Sequence, residues 1–426
     1  MATTAFHDVR MRGFRDRAEV ADVIALLTSR VEPLEAEHVD LHRATGRVLA
    51  TDVIADVAVP PFDRAAMDGY ALKGADTFGA GPYNPLEFEV VGLALPGRPF
   101  VGVVHPGQAV RVMTGAPVPE GADAVVQAED TEEKEGRLRV SDAVPPARNV
   151  GRRGEDIEPG AVVLRAGRVL RPQDVGVLAS IGASPVAVMR RPRVDILVTG
   201  DELLPCGAKP QGHRIVDSNS VMLEALVRRD GGEPCVPPIV PDRREAVEAA
   251  MTSSSADVLL VSGGSSVGQE DHAPRVLAEL GELAVHGVAL RPASPTGLGF
   301  LNRRPVFLLP GNPVSCLCAY DLFAGLAIRR LGQRSSELPY RSCPLPLGHK
   351  LVSAVGRVDY VRVQVIDGQV EPLSTSRASI LSSTTRADGF VLTARDSEGH
   401  APGENVRVYF YDSEKGAVPS DRKVSV

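Results

Sequence analysis

Three apolar segments of this chain each end in a polar, glycine-rich turn. Residues 194–198 run into Thr199-Gly200-Asp201-Glu202, and residues 257–261 into the long turn Ser262–Asp271. Residues 305–309 run into Pro310-Gly311-Asn312-Pro313-Val314-Ser315. Glycine lets backbone approach a ligand closely, and N–H groups that open a helix attract anions. Gly263, Gly264 and Gly268 suit such contact with a phosphate, and Ser266 lies among them. Two turns also carry carboxylates, Glu202 and Asp271. Phosphate-seating backbone beside acids predicts an anionic substrate held with a divalent cation. Each acid also has a plain structural reading: Glu202 and Asp271 can cap the helices that follow them.

Such turns work together only if their strands end side by side. Residues 192–331 alternate strand and helix patterns. The strands fall at 194–198, 234–240, 257–261, 284–290 and 305–309, and the helices at 218–230, 242–254, 272–281 and 314–331. Right-handed crossovers then predict a parallel sheet with helices on both faces, binding its ligand at the carboxyl ends of the strands. Asp242 with Glu245 resembles a capping box, and Gly231 stands where a helix stops. Residues 17–31 read as an amphipathic helix with Val20, Val23, Ile24, Leu27 and Val31 on one face. Residues 47–150 read as short β segments, among them Glu87–Val91, Ala109–Met113, Ala124–Gln127 and Arg137–Val140. A helical stretch follows near 173–181, stopped by Gly182, and the chain returns to β from 338. The fold class is multidomain, α/β plus β.

The length of 426 residues exceeds one core and predicts two to four domains. A formal charge of −7 gives no global field that would gather nucleic acid. Five scattered cysteines without C-x-x-C pairs argue against structural zinc and for a reduced, cytoplasmic setting. The first sixteen residues have no apolar core of a signal peptide, and no run is long and apolar enough to span a membrane.

Taken in order, the motifs resemble the MoeA/gephyrin E-domain family of molybdopterin molybdenumtransferases. The likeness rests on Pro60-Pro-Phe-Asp-Arg-Ala-Ala-Met-Asp-Gly-Tyr-Ala71, on the segment Arg111–Asp123, on Gly154-Glu-Asp-Ile157 and on the three turns. It implies four domains: an elongated one from 17–46 and 151–191, an inserted β-rich one at 47–150, a MogA-like molybdopterin-binding α/β domain at 192–331, and a C-terminal β-barrel at 338–426. It implies a homodimer with a cleft shared between subunits. The implied reaction inserts molybdate into adenylylated molybdopterin with Mg²⁺, releases AMP and yields molybdenum cofactor. The implied pathway partners are a molybdopterin adenylyltransferase and apo-molybdoenzymes.

The resemblance also assigns roles. Asp68 and Thr114 would face the cleft and help place molybdate, although Asp68 before Gly69 also suits a simple turn. Glu202 and Asp271 would hold Mg²⁺, and Asp242 would join the site. Gly263, Gly264, Ser266 and Gly268 would contact the cofactor, as would Pro292, Pro295, Pro310, Gly311, Asn312, Pro313 and Ser315. Asp156 would lie at a hinge or the cleft edge.

The chain departs from the family at Val288–Thr296. Gly287, Arg291 and Ser294 stand where the family commonly has lysines, and residues 192–331 keep one lysine, Lys209. Arg291 retains a cation whose planar fork can bind phosphate or molybdate. Arg64-Ala65 stands where Asn-Ser is frequent, so Arg64 and Arg291 together form a rebuilt anion site in this reading. Two other readings remain open: a catalytically degenerate, gephyrin-like scaffold, and a nucleotide hydrolase on the same α/β domain. The hydrolase finds no Walker A motif and no Rossmann fingerprint in the chain.

Overall fold

The computed structural model describes residues 17–263, 272–373 and 380–412. They form two compact units: His38–Val188, and a second that joins the residues before 38 to those after 188.

In the second unit, strand and helix alternate as the patterns predict. Six strands lie in the spatial order Glu233–Cys235, Arg193–Val198, Val258–Ser262, Arg304–Leu309, Gly297–Leu301 and Glu282–His286. The strand period of two sorts their side chains into two cores. Val194, Ile196, Val258, Leu260, Phe307 and Leu309 enter one layer. Leu197, Leu259, Val261, Val306 and Leu308 enter the other. Burial on both faces explains why these segments are continuously apolar.

The all-parallel expectation is corrected. The first four strands are parallel, but Gly297–Leu301 returns antiparallel to Arg304–Leu309 and pairs antiparallel with Glu282–His286. The turn between the returning strands is Asn302-Arg303, with φ of 52° and 67°. Two consecutive left-handed residues match the twist of a hairpin. The strand read at 234–240 ends at Cys235, since Pro237 and Pro238 offer no N–H to a ladder.

The segment 17–46 divides. Its helix, Val20–Arg30, buries Val23 and Leu27 in the α/β core, with Val31 just after the helix, rather than with 151–191. Leu34 N–H donates to the Leu331 carbonyl at 2.9 Å, and Arg330 donates to Thr28 O at 2.8 Å. The long helix read at 314–331 is Pro313–Ala319 and Gly325–Leu331, joined by a π-helical turn at Tyr320–Ala324. That turn carries the wholly buried Asp321.

The C-terminal β domain is built on Val358–Ile366, Gly389–Thr393, Asn405–Phe410 and Arg341–Pro346. Leu290–Arg291 joins its edge as a parallel strand. In the unit His38–Val188, a six-stranded sheet runs Ala124–Gln127, Gly69–Leu72, Gln108–Val112, Leu86–Ala94, Arg137–Val140 and Thr131–Lys134. A Cβ on Gly69 would lie 1.9 Å from the Val126 carbonyl oxygen. No other residue fits there without moving the neighbouring strand.

Candidate functional site

Three parallel strands end together in the α/β domain, and their turns are fastened to one another. The Asn219 side-chain amide donates to Ser262 Oγ at 2.9 Å and to the Gly311 carbonyl at 2.8 Å. One buried side chain thus joins the turns after Val258–Ser262 and Arg304–Leu309. Asp217 Oδ1 accepts from the amides of Asn219 and Ser220 at 2.9 and 3.1 Å, which caps the helix Asn219–Arg229. Neither Asp217 nor Asn219 was singled out by the sequence reading. Their signal was Asp217-Ser-Asn-Ser220 before an apolar-periodic stretch, a helix-start pattern.

Gly263 has φ +95°, and a Cβ there would lie 2.4 Å from the Thr199 carbonyl oxygen. Glycine is therefore required where the first and second turns touch. Beside it, Thr199 is buried and its hydroxyl has no partner among the described residues. Asn219 Oδ1 is likewise buried without one. Among the described residues, a buried hydroxyl and a buried amide oxygen at one sheet edge thus stand without partners.

Glu202 is exposed, and its carbonyl accepts from Ile215 N–H at 2.9 Å. The capping box expected of Asp242 and Glu245 is corrected. The helix begins at Arg244 with Arg243 as N-cap and no side-chain cap. Asp242 instead exchanges hydrogen bonds with Asp201: each amide donates to the other's carboxylate at 3.3 Å. This draws Asp242 to the Thr199–Glu202 turn. Asn312 is the N-cap of the helix begun by Pro313, with Ser315 buried behind it and Pro310 ending the strand segment. Gly264, Ser266, Gly268 and Asp271 lie outside the described residues. Among the described residues no three His, Cys, Asp or Glu side chains converge to hold a metal.

The loop Gly287–Thr296 leaves the same edge of the sheet. Glu282–His286 runs in the direction of the parallel strands, and Gly297 lies level with Leu308. Arg291 is not free as the rebuilt anion site expects. Its guanidinium is paired with Asp359, which is buried and also accepts from Ser353 Oγ at 2.7 Å. The charge of Arg291 is spent on joining the loop to the C-terminal domain. Pro292 and Pro295 flank Ala293, which is buried and has φ +100°. An alanine there is strained, whereas glycine is not. Ala293→Gly is therefore expected to leave the thermal midpoint unchanged or higher, although the same exchange at a relaxed site costs about 1 kcal/mol. A clear drop in midpoint would show that the strain is absent.

In the unit His38–Val188, Asp68 and Thr114 meet. Asp68 Oδ1 accepts from both the amide and the hydroxyl of Thr114, each at 2.7 Å. These two donors hold the exposed Asp68 carboxyl below its ordinary pKa. Asp68 is not a loose Asp-Gly turn: Gly69 begins a strand, and the Asp68 carbonyl accepts from Ala128 N–H at 3.1 Å. Both of these bonds fall on one carboxylate oxygen of Asp68. Arg64 forms a surface pair with Glu155 at 3.3 Å, a contact of small energetic weight. Asp156 donates its amide to Val59 O at 3.0 Å.

Known proteins resemble the chain along nearly all of its length. Residues 18–182 match the family description "MoeA N-terminal region (domain I and II)", residues 195–330 match "Probable molybdopterin binding domain", and residues 344–411 match "MoeA C-terminal region (domain IV)". A molybdopterin molybdenumtransferase of Haemophilus influenzae is 33% identical over 88% of this chain and 94% of its own. Molybdopterin molybdenumtransferase 2 of Mycobacterium tuberculosis is 34% identical over 78% of this chain and 83% of its own. The crystal structure of a molybdopterin biosynthesis MoeA protein from Pyrococcus horikoshii aligns with a TM-score of 0.80 at 31% identity. That alignment covers 94% of this chain and 100% of the other.

Proposed function

The chain belongs to the MoeA family, and from that premise we propose how it acts. It is an enzyme of molybdenum cofactor biosynthesis, of the molybdopterin molybdenumtransferase type. Its substrates are adenylylated molybdopterin and molybdate, and its products are molybdenum cofactor and AMP. The observation that carries this reading is the carboxyl edge where Asn219 joins Ser262 to Gly311 and Gly263 lies against Thr199. Glycine backbone there suits close approach by phosphates, and the Thr199 hydroxyl and Asn219 Oδ1, without partners among the described residues, suit polar groups of a substrate.

In this reading the anhydride of the adenylylated pterin lies across the glycine turns, and Pro310–Ser315 shapes the pterin end. Glu202, Asp271 and the nearby Asp242 are the acids of the site. Mg²⁺ is commonly bound through one or two carboxylates together with waters and substrate phosphates. Glu202 and Asp271 would hold it, and when bound it would polarise the phosphoanhydride. Asp68, fixed by Thr114, orients the oxyanion or a proton on it. Holding the dithiolene and molybdate together supplies rate by proximity.

A domain division with boundaries near 150, 191 and 338 belongs to this proposal, without residues 17–37, which go with the α/β core. So do a homodimer with a shared cleft, a cytoplasmic setting, and exchange with an adenylyltransferase and apo-molybdoenzymes. A monomer in light scattering would remove the dimer. Among the described residues no helix is long and apolar enough to cross a membrane.

The test is AMP release from adenylylated molybdopterin with Mg²⁺, with and without molybdate, followed by transfer of the product to an apo-molybdoenzyme. Molybdate-dependent release and an activated apo-enzyme are expected. Binding without turnover would instead identify a scaffold. AMP release indifferent to molybdate would identify a nucleotide hydrolase.

A further inference from the structure

We propose that Arg17, with Ser294, forms an oxyanion subsite on the Gly287–Thr296 loop. Arg17 lies far from this loop in sequence, but its Nε donates to Ser294 Oγ at 2.9 Å. The placement is built into the backbone. Ala18 N–H donates to Gly287 O at 3.0 Å, and Ala289 N–H donates to Ala18 O at 2.8 Å. The loop is closed on itself as well, through Val288 N–H to Ser294 O and Gly287 N–H to Thr296 O, both at 2.9 Å.

Three features point to an anion. The first is charge: Arg17 is exposed and has no acidic partner among the described residues. Among the described residues, Glu19 is paired with Arg395 at 3.0 Å and Asp359 with Arg291. The second is donor geometry. Among the described residues nothing takes the Arg17 Nη groups or the Ser294 hydroxyl proton, and a guanidinium fork beside a hydroxyl suits a tetrahedral oxyanion. The third is position. The loop leaves the sheet at the edge that carries the other turns, two strands from Arg304–Leu309. At the usual strand spacing this is about 10 Å, within one substrate's length.

The ligand is either molybdate or a phosphate of the adenylylated pterin, and the assay rests on the transferase reading above. Arg17→Ala should raise the KM for one of these substrates about 10-fold or more, the loss of one charge-assisted bond. Its kcat and thermal midpoint should change little, and Arg17→Lys should restore part of the KM. A rise for molybdate alone assigns the metal oxyanion, and a rise for the pterin alone assigns the phosphate. Unchanged KM values, or a lowered midpoint with no KM effect, would overturn the subsite. Calorimetric titration with molybdate and with inorganic pyrophosphate tests it without turnover. Weaker binding of either by Arg17→Ala than by the unaltered protein supports the subsite even if the protein releases no AMP. Equal binding overturns it, whatever becomes of the transferase.

Discussion

Asp321→Ala is expected to destabilise the α/β and C-terminal part of the protein by about 3–5 kcal/mol, as breaking a buried ion pair does. Asp321 accepts from Arg229 at 3.1 Å, from the Tyr340 hydroxyl at 2.9 Å and from the Tyr360 hydroxyl at 3.0 Å. Arg229 also pairs with Asp230 at 2.9 Å, and Asp230 with the buried Arg329 at 3.0 Å. Two acids thus balance two arginines. Removing one acid leaves a positive charge in excess and strips two phenols of their acceptor. Burial pushes the Asp321 carboxyl up, and Arg229 and the hydroxyl donors resist it. Tyr360→Phe removes the bonds to Asp321 and to the Tyr411 hydroxyl and should cost only about 1–2 kcal/mol. Urea unfolding of the two variants reads the difference. A loss for Asp321→Ala no larger than for Tyr360→Phe would mean that water fills the gap.

Asp68→Asn should lower the rate of molybdate-dependent AMP release about 100-fold, in the range for removing a preorganised electrostatic group. The amide oxygen of asparagine can still accept from both Thr114 donors, so the local fold should stand. What goes is the negative charge and the acceptor on the second oxygen. Thr114→Ala should do less harm, because its backbone N–H still holds Asp68. The Thr114 donors lower the Asp68 pKa, so the group stays ionised to a lower pH than an ordinary aspartate. Its contribution should therefore be present at neutral pH and be lost, as pH falls, at a lower pH than for an ordinary aspartate. Wild-type rates in Asp68→Asn, with an unaltered thermal midpoint, would reduce the Asp68–Thr114 pair to a structural clasp.

Much of this was legible in the sequence because period and punctuation were strong. The continuous apolar runs at 194–198, 257–261 and 305–309 had to be buried on both faces, and their turns had to lie at one edge. Asp68 and Thr114 could be named, but not joined. A contact across 46 residues leaves no local signature. Gly297–Leu301 was missed because glycines at 297 and 299 weaken a strand pattern. In the structure a Cβ at Gly299 would strike Glu282 O at 2.1 Å, so the glycine reflects close strand approach. Asp242 was misread as a cap because its spacing to Glu245 fits one, while its actual partner, Asp201, is distant in sequence. Arg291 was read by its charge alone, and Asp359, which takes that charge, lies 68 residues on.

The division of residues 17–46 has a consequence for synthesis on the ribosome. The helix Val20–Arg30 emerges early, yet its apolar stripe packs in the same core as Ile328 and Leu331, about three hundred residues later. At about 5–20 residues per second those partners follow after about 15–60 s. His38–Val188 is continuous in the chain and can be complete well before then. For that interval a nascent polypeptide carries one finished domain and, ahead of it, an amphipathic helix with nothing to cover it. Val23, Leu27 and Val31 form the segment a holding chaperone would meet first.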